Sequence, residues 1–144
     1  MSEFMPIPAF DLDDLLNTLK PYQANAISQL REKHGEEEAA RLWLSANGPS
    51  DTQKFGGAGP MNSKPFWDKF NAELRLFVCG DQKYKTERNK LLLEAKPASL
   101  YLVSGISGLL GSTLGFAPSL LAPPVAMMLY LIGKFGVNAW CKLD

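Results

Sequence analysis

Residues 97–133 read PASLYLVSGISGLLGSTLGFAPSLLAPPVAMMLYLIG, 37 residues without a single charged side chain. A soluble domain of ordinary composition rarely leaves so long a stretch uncharged. Gly115-Phe116-Ala117-Pro118-Ser119 and Pro123-Pro124 interrupt it. A proline inside a helix removes one backbone hydrogen bond and clashes with the preceding turn. The stretch therefore predicts a helical hairpin: one helix over about 98–115, a turn, and a second helix over about 123–142. Eighteen helical residues rise about 27 Å, near the roughly 30 Å of a bilayer's hydrocarbon core. Both helices are expected to be buried, and a membrane is the favoured place.

Small residues recur at fixed spacing in this hairpin. Ser104, Gly108 and Ser112 repeat every four positions, as do Ser107, Gly111 and Gly115. Such small-xxx-small stripes let helix backbones approach closely where no hydrophobic effect drives them together. Ala126 and Gly133 are candidates for the matching surface, and the stripes predict homo-oligomeric packing. The flanks are basic. Lys83, Lys85, Arg88, Lys90 and Lys96 precede the hairpin; Lys134, Trp140 and Lys142 close it. These eight residues are candidate membrane-interface anchors. An uncharged turn between basic ends places both termini on the cytoplasmic side of a bacterial inner membrane. The alternative is a soluble cytoplasmic protein with the hairpin inside its core. The hairpin pattern, and that alone, resembles colicin-type pore-forming domains. The resemblance implies a hairpin that is buried in water and inserted at a bilayer.

Upstream, residues 5–96 predict a bundle of about five amphipathic helices. Asp11 opens the first, with Leu12, Leu15, Leu16 and Leu19 on one stripe. Pro21 starts a second, ending near Gly35. Glu36, Glu37 and Glu38 start a third, stopped by Asn47-Gly48-Pro49. Residues 48–64 form a Gly/Pro-rich loop. A fourth helix, capped by Ser63, carries the aromatic face Phe66, Trp67, Phe70 and Phe77. That face is core by default, and a partner-binding face if the core is already filled. A fifth runs from Gln82 to Lys96 and ends at Pro97. Nothing alternates with period two, so the fold class is all-α: this bundle, then the hydrophobic hairpin of residues 97–144.

Charge is unevenly spread over a chain of zero net charge. Residues 1–63 hold five Lys/Arg against nine Asp/Glu, and residues 64–96 hold eight against five. With no overall excess of positive charge, nucleic acid is not expected as a partner. Two cysteines, Cys79 and Cys141, are too few for a disulfide framework or a structural zinc site, and two reduced thiols are expected. The N-terminus has no basic run followed by an apolar segment, so no secretory signal is expected.

No catalytic constellation emerges. Gly56 to Lys64 has the glycines of a phosphate loop but not their spacing. His34, the only histidine, lacks a nucleophile partner. Glu36–Glu38 reads as helix-start charge rather than a metal site. Neither enzyme activity nor a cofactor is expected. The function these features favour is a membrane-associated effector, of toxin type, that inserts or forms a pore. Its partners would be lipid and either further copies of itself or another protein bound by the N-terminal helices. The alternative is a soluble helical interaction module or complex subunit.

Overall fold

The computed structural model describes residues 5, 7–47, 64–94 and 99–142. Residues 48–63 of the predicted 48–64 loop, Lys96 and the Ser63 cap lie outside these residues, and Lys64 begins a helix. The described chain is all-α. Its helices are α1 (Leu12–Leu16), α2 (Pro21–His34), α3 (Glu36–Asn47), α4 (Lys64–Val78), α5 (Lys85–Glu94), α6 (Ser99–Leu114), α7 (Pro118–Phe135) and α8 (Val137–Lys142). A 3-10 turn at Gln82–Tyr84 leads into α5.

The apolar stripes explain what packs where. α7 is the axis. It buries Leu121, Val125, Ala126, Met127, Met128, Leu129 and Ile132, and packs against α1, α2, α3, α6 and α8. A helix apolar on all sides must be enclosed on all sides, and the amphipathic helices supply that enclosure. Leu15 of α1, Ile27 of α2, Ala39, Ala40, Trp43 and Leu44 of α3, and Phe70, Leu74 and Phe77 of α4 join α6 and α7 in one continuous core. The hairpin and the amphipathic helices therefore share a single core. α7 is also the one described helix long and apolar enough to cross a membrane, and half of its apolar window is buried here.

Three expectations need correction. The first helix stops at Leu16 rather than Leu19, where Thr18 Oγ1 donates to the Leu15 carbonyl at 2.7 Å and Pro21 already disfavours helical backbone at Lys20. The second hairpin helix starts at Pro118, runs through Pro123 and Pro124, and breaks at Gly136. Gly136 takes φ of 92°, a left-handed value that ends α7 before α8 begins. Lastly, Cys79 and Cys141 are not free thiols: they form a disulfide across 62 residues of sequence, with Cα atoms 5.7 Å apart. The fold brings together two positions whose sequence spacing says nothing about pairing.

The two prolines sit inside α7 because α2 and α3 supply what they lack. Pro123 and Pro124 have no N–H to give the carbonyls four residues earlier, those of Ser119 and Leu120. Gln23 Nε2 donates to the Ser119 carbonyl at 2.8 Å, and Trp43 Nε1 donates to the Leu120 carbonyl at 2.9 Å. Gln23 is only 2% exposed. Its Oε1 accepts the Lys20 backbone N–H at 3.1 Å, so both ends of this buried amide are used.

Candidate functional site

Among the described residues, the exposed positions of α6 carry no charged side chain. On α5 the exposed positions include Lys85, Glu87 and Lys90, on α4 Asp68 and Lys69, and on α2 the charges Glu32 and Lys33 follow the uncharged Tyr22, Asn25 and Gln29. On α6 the exposed positions are Leu100 (58% exposed), Tyr101 (48%), Ser104, Ser112 and Thr113. The α6–α7 turn continues this surface with Gly115, Ala117, Pro118 and Ser119, all exposed and uncharged. A solvent-facing helix ordinarily presents charge. Here an uncharged strip runs the length of α6 and around the hairpin tip.

The sequence-predicted packing residues divide into two groups. Ser104, Gly108 and Ser112 line the outward strip; a Cβ built on Gly108 would meet nothing within 4 Å. A shallow cleft of about 350 Å³ lies beside it, lined by Leu91, Ser104, Gly105 and Leu109 among others. Gly111, Gly115, Ala126 and Gly133 serve the fold itself. The Gly111 carbonyl accepts from both Gly115 N (2.8 Å) and Phe116 N (2.9 Å), closing α6 into the turn, and Gly115 has φ of 83°. Ala126 is fully buried. Gly133 faces the segment that precedes α1, the N-terminal strap with Pro8 and Ala9: a Cβ there would come within 2.4 Å of the Pro8 carbonyl oxygen. Gly133→Ala is therefore expected to push the strap away at a cost of about 1–3 kcal/mol, readable as a lowered denaturant midpoint. An unchanged midpoint would mean that the strap shifts freely.

The predicted interface residues also divide. Lys83, Lys85, Lys90, Lys134 and Lys142 are exposed. Arg88 and Trp140 are not, at 2% and 3% exposed, which corrects their placement at the surface. Arg88 Nη1 donates to the Phe77 carbonyl at 3.0 Å, capping the C-terminal end of α4. Trp140 packs under the Arg75 guanidinium, 4.3 Å above its ring, while Arg75 Nη1 donates to the Trp140 carbonyl at 3.0 Å. Similarly, Trp67, Phe70 and Phe77 are buried, and Phe66 packs edge-on against Phe116 with ring centroids 4.8 Å apart. The aromatic stripe of α4 is core rather than a partner face, because α3, α6 and α8 pack against α4.

Electrostatics pin the basic segment to α4. Glu73 of α4 receives hydrogen bonds from Lys83 Nζ, at 2.9 Å, and from the Tyr84 hydroxyl. Tyr84 also contacts Thr113 Oγ1 of α6 at 3.1 Å. Burial pushes the Glu73 carboxyl up, but the Tyr84 and Lys83 hydrogen bonds and the Lys83 charge outweigh it, so its pKa lies below the ordinary glutamate value. Burial and the Glu73 hydrogen bond push the Tyr84 hydroxyl up. A carboxyl with a depressed folded-state pKa stabilises the protein above its unfolded pKa, and that contribution disappears as pH falls through the folded one. Acidification below the ordinary glutamate range is thus expected to loosen the contact of α4 with Lys83 and Tyr84. Glu73→Gln should flatten this part of the acid-unfolding profile; an unaltered profile would show that the pair contributes nothing.

Among the described residues no group of three His, Cys, Asp or Glu is placed to hold a metal. His34 and Glu37 are exposed helix-end residues. Glu38 pairs with Arg41, and this hydrogen bond holds its carboxyl below the usual range.

No known protein family, curated protein or solved structure matches this chain. The functional reading accordingly rests on the geometry of the hairpin and its uncharged strip.

Proposed function

We propose that this protein is a helical bundle that stores a membrane-inserting hairpin, α6–α7, inside a water-soluble fold. The observation that carries this reading is the uncharged outer face of α6 and its continuation around the hairpin tip. That surface can contact lipid before any buried residue moves. Withdrawing the amphipathic helices would then expose α7, whose length suits a bilayer. Lys85 and Lys90 on the neighbouring segment favour an anionic surface. Once inserted, the stripe of Ser104, Gly108 and Ser112 offers a close-packing face between copies. A membrane-active effector is the role this mechanism serves, and the inner membrane of a bacterium is the site the flanking charges favour.

Two substitutions separate lipid contact from folding. Ser104 and Ser112 are exposed, so Ser104→Lys and Ser112→Lys together should change folding stability by no more than about 0.5 kcal/mol each. In a bilayer each lysine costs about 2.5–3.5 kcal/mol at mid-depth. The expected result is an unchanged melting temperature with loss of co-sedimentation with anionic vesicles. Equal sedimentation of the variant and the parent would rule out entry of α6 into lipid. Fractionation with a carbonate wash provides the cellular counterpart: hairpin insertion leaves the protein in the pellet.

A second reading has its own support. The Gln23 and Trp43 hydrogen bonds fit α7 to α2 and α3 at the two positions where its backbone would otherwise be unpaired. Such matching favours a permanently packed soluble interaction module, with the strip on α6 as its partner surface. Monodisperse protein that ignores vesicles under all conditions would favour this reading.

A further inference from the structure

The disulfide stands where the hairpin joins the rest of the fold. Cys79 lies just beyond α4 and Cys141 lies in α8, so the covalent loop they close contains all of α5, α6 and α7. α8 has only six residues and is joined to α7 through Gly136 alone. A helix that short has no stability of its own, so α8 keeps its place through what it touches. Those contacts are the burial of Trp140, the Arg75 guanidinium over its ring, and the bond to Cys79. Beside Cys79, the Met5 backbone N–H donates to the Val78 carbonyl at 2.7 Å, and the strap it begins reaches Gly133 near the end of α7. The fastenings at the base of the hairpin thus converge on residues 78 and 79. Neither cysteine is in the fully buried core; both residues are partly exposed at its edge.

We propose that the Cys79–Cys141 bond is a redox latch on the hairpin. Withdrawing α7 from its sheath pulls α8 along through Gly136, and the bond to Cys79 opposes that movement. A dithiol reductant opens it by exchange. One of its thiolates attacks either sulfur, forming a mixed disulfide and releasing the other cysteine as a thiolate. The second thiol of the reductant then displaces the remaining cysteine and leaves as a cyclic disulfide. Two electrons and two protons pass from the dithiol to the pair, giving Cys79 and Cys141 as thiols. The latch stays closed in an oxidising compartment and opens where dithiol carriers are maintained reduced.

The consequence for lipid rests on the membrane reading above, so two measurements are made on the full-length chain. Hydrogen exchange is compared for the oxidised protein, the dithiothreitol-reduced protein and the Cys79→Ser/Cys141→Ser variant. Reduction should accelerate exchange in residues 118–142 at least tenfold relative to α2 and α3, and the variant should match the reduced protein with or without reductant. Equal acceleration in every helix would make the bond a general staple and overturn the latch, as would no acceleration at all. Dye release from anionic vesicles is read in parallel. Release by the reduced form alone supports both the latch and the membrane reading. Local opening without dye release keeps the latch and removes the membrane reading. Dye release at equal rates from oxidised and reduced protein keeps the membrane reading and overturns the latch. Because wild-type protein is reduced directly, the test survives a serine variant that fails to fold.

Discussion

Replacing Trp43 by alanine is expected to lower the unfolding free energy by about 3–5 kcal/mol, the usual cost of deleting a buried aromatic. The more informative substitution is Trp43→Phe, which keeps much of the ring and removes the Nε1 donor that reaches the Leu120 carbonyl. Leaving that carbonyl without a partner in the core should cost about 1–3 kcal/mol. The reason the carbonyl depends on Trp43 is Pro124, which has no N–H to offer it. Pro124→Ala restores an intrahelical donor. In that background the Trp43→Phe penalty should fall to well under half its original size. A double-mutant cycle measured by denaturant unfolding gives the coupling directly. Gln23→Leu and Pro123→Ala should behave as a second cycle on the Ser119 carbonyl. Zero coupling in both cycles would mean that the prolines and their donors are unrelated and that the Trp43 contribution is packing alone. If hairpin release underlies activity, Trp43→Phe should also sensitise vesicles, since it weakens only the packed state.

These pairs mark where the sequence stops being readable. The 37 uncharged residues point to the two apolar helices of the hairpin, and the leucine and aromatic stripes of residues 12–78 point to helices that pack around them. Pro123 and Pro124 then mislead. A proline inside a helix is disfavoured because its missing hydrogen bond normally stays missing, and nothing local reveals that donors arrive from Gln23 and Trp43. The donors lie 96 and 77 residues away in sequence, so only the fold relates them. Arg88 and Trp140 fail for a similar reason. Their composition suits a membrane boundary, but the carbonyl of Phe77 and the guanidinium of Arg75 give each a buried partner. On α6 Ser104, Gly108 and Ser112 share an outward stripe. The same spacing in Ser107, Gly111 and Gly115 includes residues needed for the turn, because repetition every four residues does not distinguish an outward stripe from an inward one.

Reduction of the disulfide is expected to lower the stability of the protein by about 4 kcal/mol. The bond spans 62 residues, and for a loop of that length the lost entropy of the unfolded chain corresponds to roughly that value. In a protein of this size each kcal/mol moves the melting temperature by about 2–4 °C, so calorimetry should find the reduced form melting roughly 8–16 °C lower. The Cys79→Ser/Cys141→Ser variant should fall with it and no longer respond to reductant. A loss below about 1 kcal/mol in both would mean that the bond adds too little to fasten the hairpin. The size of the loss also determines whether the hairpin can be stored at all. Folded proteins of this kind have a total stability of about 5–15 kcal/mol, so a 4 kcal/mol fastening is a large part of what keeps α7 enclosed. Its removal leaves the packed state intact but close enough to opening that a lipid surface, by binding only the open hairpin, can draw the equilibrium toward insertion.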